Sequence, residues 1–395
     1  MTESAVLAVV LAAAAGLAAG RAWAAARRRD DAVSGAFRLS PHYVQGLQYL
    51  AAGERGRAAS AFEKVARDEP LAFDVPLVLG HLWREAGQVE RAMQGHHGLL
   101  GRSDLARSQR DLARVALGQD QRAAGFIDRA SRTFEEALES DPRNLQALEG
   151  LQKVYEDQRR WREAYDIQAR RQRLRKSDDA LVLGHLRAAI GREALAAGSR
   201  DEARKAFEAA LELDRRVFPA FLGLAELRLQ DGDPRGAASV LEDAIEQAPE
   251  RAYLAFEGLA RAYAALGEPS RFVALCEEIV QKDPRDWRAR VALARQRRAA
   301  SKPEEALGLL LRALAENPQV LLVHMEIWRT LRALGVNDEG VARYGEACEE
   351  AVFYRDPHLC TSCRYRADDM LWRCPQCHAW NSFVEERVGS GTDRS

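Results

Sequence analysis

The amino-acid sequence predicts an all-α fold in which helix pairs repeat along the chain and a small four-cysteine module follows them. The composition favours helices, because alanine, leucine, arginine and glutamate dominate while aromatic residues make up only 7% of the chain. Prolines that end helical stretches recur at multiples of about 35 residues, which is typical of stacked helical repeats. Four of the 6 cysteines lie between Cys360 and Cys377, which indicates a separate module at the end of the repeats.

Length and charge limit the classes of protein. At 395 residues the chain has room for two or three ordinary domains or for one long repeat array with appendages. The 58 basic and 59 acidic residues nearly cancel, so the chain has no overall positive field that would hold nucleic acid. The basic runs at 170–176 and 295–298 are interpreted as solvated faces of amphipathic helices.

Residues 1–26 are predicted to form a transmembrane anchor, and residues 27–35 a basic juxtamembrane linker. A helix from Ala5 to Ala26 would be about 33 Å long, which matches a hydrocarbon core of about 30 Å. A cleavable signal peptide is the alternative, because Ala22-Trp23-Ala24 resembles a cleavage site. Since Arg27-Arg28-Arg29 follows the apolar run and no Lys or Arg precedes it, the positive-inside rule favours a retained anchor with the bulk of the chain in the cytoplasm.

An internal repeat occupies residues 36–352. The prolines that mark it are separated by 72, 107, 35 and 34 residues, close to two, three, one and one periods. These prolines are Pro70, Pro142, Pro249, Pro284 and Pro318. Proline prevents the preceding helix from continuing, so each of them closes a repeat.

Small and large apolar residues recur at fixed offsets within the period. Small residues such as Gly80 allow the two helices of a pair to approach closely, and the large side chains of Tyr49, Trp83 and Tyr155 are interpreted as core. The pattern resembles tetratricopeptide repeats and predicts about nine helix pairs. Such pairs stack into a superhelix with an extended groove that binds segments of other proteins. A long helical bundle is the alternative, but it does not require a fixed period.

The stretch from Cys360 to Cys377, CTSCRYRADDMLWRCPQC, contains two Cys-x-x-Cys pairs. Two residues between cysteines let one short turn present both sulfurs to a single ion, and four sulfurs complete a tetrahedral shell. Soft thiolates favour zinc or a single iron, and a closed shell favours a structural or electron-carrying site over a hydrolytic one. The predicted ligands are Cys360, Cys363, Cys374 and Cys377.

The module is predicted over residues 353–385, and residues 386–395 are predicted to be a disordered tail. So short a segment has too little apolar surface to fold alone, so that the metal would have to organise it. The alternative is that the four cysteines form two disulfides or are four unrelated thiols. His358 and His378 could each replace a thiolate but are interpreted as bystanders, because the cysteines already supply four ligands.

The sequence contains no Gly-rich phosphate loop, nucleophile elbow or His-Glu-x-x-His motif, so we predict that the chain is not an enzyme. Two other functions remain open for the module. One is an iron-loaded electron carrier that serves a partner oxidoreductase. The other is a zinc ribbon that binds nucleic acid, for which the support is Arg364, Arg366 and Arg373 near Trp372.

The order of anchor, repeats and terminal cysteines resembles the lipopolysaccharide assembly protein B family, whose terminal module is described as rubredoxin-type. The specific match is the first Cys-x-x-Cys pair, a ten-residue gap, and then Leu371-Trp372-x-Cys374-Pro375-x-Cys377-x-Ala379-Trp380. The resemblance implies that the four cysteines hold one iron or zinc ion. True rubredoxins prefer glycine after the second cysteine of each turn, where the backbone needs positive φ, whereas this chain has Arg364 and His378.

The resemblance also implies a regulatory adaptor at the bacterial inner membrane. Its expected partners are the membrane protease FtsH, the deacetylase LpxC that FtsH degrades, and other lipopolysaccharide assembly proteins, with no role for nucleic acid. A homodimer is left open, because Gly16 and Gly20 have the spacing with which small residues pair two membrane helices.

Overall fold

The computed structural model describes residues 40–68, 72–177, 179–318, 320–336, 339–350 and 358–385. The predicted anchor, the juxtamembrane linker and the tail lie outside these residues. Over the described ranges, none of the helices has the length and apolar character needed to cross a membrane. The chain divides into two compact units, the first ending at Gly150 and the second starting at Leu151.

The first unit is built from α-helices joined by short turns, and the boundary at Gly150 falls within its last helix. These helices are α1 (Pro41–Ala51), α2 (Arg55–Asp68), α3 (Asp74–Glu85), α4 (Val89–Leu100), α5 (Arg107–Ala123), α6 (Ile127–Ser140) and α7 (Leu145–Asp157).

The second unit continues the series from Leu151 and adds a 3-10 helix and a small sheet. Its further helices are α8 (Trp161–Arg175), α9 (Ala180–Ala196), α10 (Arg200–Leu213), α11 (Phe218–Gln230), α12 (Pro234–Gln247), the 3-10 helix η1 (Pro249–Ala255), α13 (Phe256–Ala265), α14 (Pro269–Lys282), α15 (Trp287–Ala299), α16 (Pro303–Glu316), α17 (Leu321–Ala333) and α18 (Glu339–Glu350). Its strands are β1 (His358–Cys360), β2 (Arg366–Ala367) and β3 (Phe383–Glu385).

The described residues therefore contain eighteen α-helices, in the order expected of nine helix pairs. Helices that are adjacent in sequence pack on one another, as α9 does on α10 and α15 on α16. The turn inside a pair uses a left-handed backbone conformation, for example at Gly232, where φ is 75°. The prediction of an all-α chain of tetratricopeptide-type repeats is confirmed.

Close packing between successive pairs depends on glycines that face an aromatic ring. The ring of Phe207 on α10 is fully buried between Gly191 on α9 and Gly223 on α11. A Cβ atom at Gly223 would lie 2.3 Å from Phe207 Cζ, and one at Gly191 would lie 2.7 Å from the same ring. Helix α11 can approach α10 at this distance only because position 223 has no side chain.

Gly223→Ala will therefore destabilise the second unit. The added methyl group must displace the Phe207 ring or helix α11, which we expect to lower the free energy of unfolding by about 1–3 kcal/mol. Gly308→Ala on α16 is the matched control, because no atom lies within 4 Å of its added Cβ, and it should raise the free energy of unfolding by about 0.5–1 kcal/mol. Denaturant unfolding of both variants checks the prediction, and equal effects of the two substitutions would contradict it.

The large aromatic side chains of Tyr49, Trp83 and Tyr155 are partly buried at the edge of the core. Tyr49 and Trp83 pack against the buried cluster around Phe62, as the repeat pattern predicts. Tyr49, Trp83 and Tyr155 each have one ring face covered by an arginine guanidinium, at 4.4 to 5.9 Å from the ring centroid. The arginines are Arg57, Arg91 and Arg160. Such cation–π contacts stabilise the outer face of each ring at the edge of the core.

In the first unit a histidine replaces the aromatic residue at the close-packed position. His96 on α4 lies against Gly80 as Phe62 lies against Gly46 one pair earlier. Its buried ring bonds to Asp120 with an Nδ1–Oδ2 distance of 2.5 Å, and Arg84 donates to the other oxygen of Asp120 at 2.6 Å. The polar ring is thus compatible with the core because the buried carboxylate and an arginine satisfy it.

Candidate metal centre

The four predicted ligands lie together in the terminal module. The sulfur atoms of Cys360, Cys363, Cys374 and Cys377 are all within 4.8 Å of one another. Two of the separations, from Cys360 to Cys377 and from Cys363 to Cys374, are 3.6 Å. All four cysteines are free, and their sulfurs are too far apart for disulfides, whose S–S bond is about 2.05 Å.

These separations fit a single metal ion. Metal–sulfur bonds of about 2.3 Å in a tetrahedral site place the sulfurs about 3.8 Å apart, close to the two shortest separations in the cluster. Cys360 and Cys374 are buried while Cys363 and Cys377 are partly exposed, so the cluster lies at the edge of the module. The arrangement fits a closed four-thiolate site for zinc or iron.

Two turns of equivalent geometry present the sulfurs. The N–H of Cys360 donates to the carbonyl of Tyr365, and Arg364 N–H donates back to Cys360. In the second turn Cys374 donates to Ala379, and His378 donates back to Cys374. Each turn is closed by a residue with positive φ, 64° at Arg364 and 63° at His378. The positions that the rubredoxin comparison singled out therefore have the left-handed backbone expected there, although neither is glycine.

The sheet joins the two turns. Strand β1 carries Cys360 and pairs antiparallel with β2 on one side and β3 on the other, with His358 opposite Ala367 and Glu385. Phe383 from β3 is fully buried and packs with Cys360 and Cys374. This core is small, so the sheet alone gives the module little stability.

Electrostatics show why the shell needs a cation. Burial opposes ionisation of Cys360, but Ser382 Oγ at 3.2 Å and backbone N–H groups lower the pKa of its thiol to about 6. Burial and, to a smaller extent, the neighbouring thiols together raise the pKa of Cys377 to about 12. Burial also raises the pKa of Cys363. A divalent metal ion would favour the ionised form of all four groups and release their protons on binding.

The module is docked on helices α7, α8, α9 and α11 and on η1 of the same unit. Arg373 Nε donates to Glu156 Oε2 at 2.7 Å, and its Nη2 donates to Asp157 at 2.9 Å. Trp380 Nε1 donates to the other oxygen of Glu156 at 3.2 Å. The Glu156 side chain is only 2% exposed, so this carboxylate depends on the module for two of its hydrogen bonds.

Aromatic stacking adds to the polar contacts. His185 on α9 lies between the rings of Trp380 and Trp372, with centroid distances of 5.6 and 6.0 Å. Trp372 also stacks on Phe218 of α11 at 6.2 Å, and Trp380 meets Trp161 of α8 edge-on. Burial, together with the charges of Arg251 and Arg192, lowers the pKa of His185 to about 3, so the ring is neutral and packs as an aromatic group.

Both histidines of the module face the helices and not the sulfur cluster. His358 Nε2 lies 3.4 Å from the Tyr253 hydroxyl, and His378 Nδ1 lies 3.5 Å from Asp157. Of the side chains that supported a nucleic-acid interpretation, Arg373 and Trp372 are used in docking, while Arg364 and Arg366 are exposed.

Sequence reasoning did not find the docking residues of the helices. Glu156 and Asp157 read as ordinary acidic residues on a solvated helix face, and nothing near them in sequence marks them as partners of Arg373. The sequence of the module itself contained a signal that it docks on another surface. A segment as short as 358–385 cannot bury Trp372 and Trp380 within its own core, so these rings need another surface.

Family models match both the repeats and the terminal module. A family model described as a rubredoxin metal binding domain matches residues 358–385. Models described as tetratricopeptide repeat match residues 43–95, 115–180, 194–255 and 228–297. Among solved structures, the C-terminal part of a tetratricopeptide repeat-containing protein from Cytophaga hutchinsonii is 15% identical and covers 64% of this chain and 99% of that chain, with a TM-score of 0.46.

Curated relatives align with nearly the whole chain. Lipopolysaccharide assembly protein B of Escherichia coli strain K12 is 26% identical over 385 residues, which are 97% of this chain and 98% of that protein. The protein of the same name from Haemophilus influenzae is 25% identical over 371 residues, 91% of this chain and 92% of that one. The repeats, the terminal cysteine module and this end-to-end alignment together make the chain similar to lipopolysaccharide assembly protein B over nearly its whole length.

Proposed function

We propose that this chain is a membrane-anchored regulatory adaptor of lipopolysaccharide synthesis. The observation that carries the proposal is the alignment of 97% of the chain with a protein named for lipopolysaccharide assembly. The architecture is consistent with it, since stacked helix pairs expose long inner faces on which segments of other proteins bind. An adaptor needs no catalytic residue of its own.

In this proposal the chain controls lipopolysaccharide synthesis through the amount of LpxC in the cell. In this proposal the helix pairs bind LpxC and present it to the membrane protease FtsH, and they also gather other lipopolysaccharide assembly proteins. Residues 1–26 anchor the chain in the inner membrane with the repeats in the cytoplasm. Confinement to the membrane surface raises the effective concentration of the adaptor near the protease without any new contact.

The metal module has a structural role in this proposal. Cys360, Cys363, Cys374 and Cys377 would hold a metal ion that joins the two cysteine turns. The folded module fixes α7, α8, α9, α11 and η1 relative to one another through Arg373, Trp372 and Trp380. These helices belong to different repeats, so one docked body restrains several repeat interfaces at once. A rigid inner face loses less conformational entropy when a partner binds.

Deletion of residues 1–26 tests the proposal. In cells where the truncated chain remains abundant, LpxC should accumulate and lipopolysaccharide should rise, because the adaptor is no longer held beside the protease. Fusion of an unrelated single membrane helix to residue 27 is the matched control and should restore both levels. If LpxC and lipopolysaccharide are unchanged by the deletion, the anchored-adaptor proposal is wrong.

An iron-loaded electron carrier is the second candidate, favoured by the match of residues 358–385 to a rubredoxin metal binding domain. Iron bound by four thiolates would give a red protein that bleaches reversibly on reduction. Purification from unsupplemented cells, followed by metal analysis and a visible spectrum, separates the two candidates. A colourless protein with one zinc per chain would exclude the electron carrier.

A further inference from the structure

One buried side chain at the docking interface is polar and unpartnered. His185 on α9 is only 1% exposed, and its ring lies between the rings of Trp372 and Trp380 of the module. Neither ring nitrogen has a hydrogen-bond partner among the residues that the structure describes. A neutral imidazole carries one N–H donor and one acceptor, and burial of both without partners is unfavourable. The docked module therefore covers a ring that would be better hydrated on the free helix.

Two arginines near this ring oppose a positive charge on it. Burial lowers the pKa of His185 most, and Arg251 of η1 and Arg192 of α9 lower it further. The guanidinium of Arg251 lies over the ring of Trp372, 5.6 Å from its centroid, and donates to Asn381 of the module. Protonation of the docked histidine would therefore add a third positive charge close to two arginines.

Among the described residues, one carboxylate acts on His185 in the opposite direction. Asp214, directly after α10, raises the pKa of His185, but this is the smallest of the effects on it. Arg216 donates to both oxygens of Asp214, at 3.0 and 2.7 Å, so the charge of this carboxylate is already paired. The module contributes the uncharged rings of Trp372 and Trp380. The docked imidazole therefore stays neutral.

Other titratable and charged groups of the interface contact one another. They are His358, Arg373 and His378 from the module and Glu156, Asp157 and Tyr253 from the helices. None of these six side chains is hydrogen-bonded to His185. A substitution at His185 therefore leaves their contribution to the pH dependence of docking in place.

We propose that docking of the metal module is linked to proton uptake by His185, so that acidification releases the module from the helices. Release leaves the ring in water, where a histidine has an ordinary pKa of about 6.5, whereas in the docked state its pKa is about 3. Because the released state binds the proton, docking has its full strength above about pH 6.5 and weakens as the pH falls below that value. This switch acts on the module whatever partner the repeats bind.

Release would change the surface of the helices. Trp372 would leave Phe218 of α11, which exposes an aromatic ring that the docked module covers. Trp380 would leave Trp161 of α8 in the same way. Glu156 would lose the two hydrogen bonds that it accepts from the module. Proton uptake at one histidine would thus free several repeats from a common restraint.

The test measures opening of the module in the purified, metal-loaded full chain in detergent. Amide hydrogen exchange across residues 358–385 is followed at pH 7.5 and pH 5.5 and corrected for the pH dependence of the intrinsic exchange rate. With an ordinary histidine pKa of about 6.5, His185 should contribute a factor of about ten to the increase in the opening equilibrium constant over this interval. The metal content is measured at both pH values, because thiolate ligands also bind protons.

Two replacements that do not titrate isolate the contribution of His185. His185→Asn keeps a polar side chain, and His185→Phe keeps an aromatic ring between the two indoles. In each of them the increase in opening from pH 7.5 to pH 5.5 should be about tenfold smaller than in the original chain. The matched control, His97→Asn, replaces an exposed histidine of the first unit and should retain the full increase.

The proposal is wrong if the original chain and the His185 variants show the same increase in opening at pH 5.5. Equal loss of metal from all the chains, with equal opening, would assign the pH dependence to the thiolates instead. Thermal melting at pH 7.5 shows which variants are folded. If one replacement at position 185 does not fold, the other decides the question, because the comparison is made between two pH values within each chain.

Discussion

The double substitution Cys374→Ser with Cys377→Ser will release the bound metal and unfold the terminal module while the first unit stays folded. The module has only three short strands and a core around Phe383, so we expect metal binding to supply most of its stability. In small zinc peptides that contribution is about 10–16 kcal/mol. The metal content should fall from one ion per chain to none. Amide hydrogen exchange across residues 358–385 should become as fast as in an unfolded peptide.

Cys276→Ala is the matched control for this prediction. Cys276 is buried on α14, and burial raises the pKa of its thiol to about 12, so it stays a neutral packing group far from ionisation. Removing its sulfur should cost about 1 kcal/mol of unfolding free energy and leave the metal content at one ion per chain. Metal retained by the double serine variant, with unchanged thermal stability, would show that the site is assigned to the wrong residues.

Arg373→Met will detach the folded module from the helices. Glu156 would keep its charge inside the protein without its principal partner, and breaking a buried ion pair in this way costs about 3–5 kcal/mol. Adding Glu156→Gln to the same chain removes the uncompensated charge, so the double variant should recover part of that loss. The free energy of module opening is measured by hydrogen exchange at the Trp372 and Trp380 amides. Its values in the original chain, the two single variants and the double variant give the coupling energy between Arg373 and Glu156.

Arg366→Met provides the comparison within the same module. Arg366 lies on strand β2 and is exposed, so its substitution should change the opening free energy by less than about 0.5 kcal/mol. A coupling energy between Arg373 and Glu156 near zero would mean that the aromatic contacts alone hold the module. The metal content should remain one ion per chain in all of these variants, because none of the substituted side chains is a predicted ligand.

The sequence was sufficient to predict the repeats and the cysteine cluster because both depend on short-range spacing. Helix-ending prolines such as Pro142 and Pro249 set the period, and the two Cys-x-x-Cys turns each form within a few residues. The positive φ at Arg364 and His378 also follows from turn geometry alone. Residues 1–26 remain a prediction, as do the ligand roles of the cysteines.

Long-range contacts could not be predicted in the same way. Arg373 pairs with Glu156 across 217 positions, and no periodic pattern links two such residues. The arginines that cover the aromatic rings were not predicted for a related reason. Trp83 packs against the cluster around Phe62 as predicted, but a spacing pattern does not show that Arg91 covers its outer face.

The most direct test of the adaptor proposal is crosslinking in living cells. A tagged full-length chain is crosslinked at the membrane, purified under denaturing conditions, and its attached proteins are identified by mass spectrometry, with the anchor-deleted chain as control. The account predicts that FtsH and LpxC are both attached to the full-length chain and are depleted with the deleted one. Abundant recovery of the full-length chain with neither protein attached would contradict it.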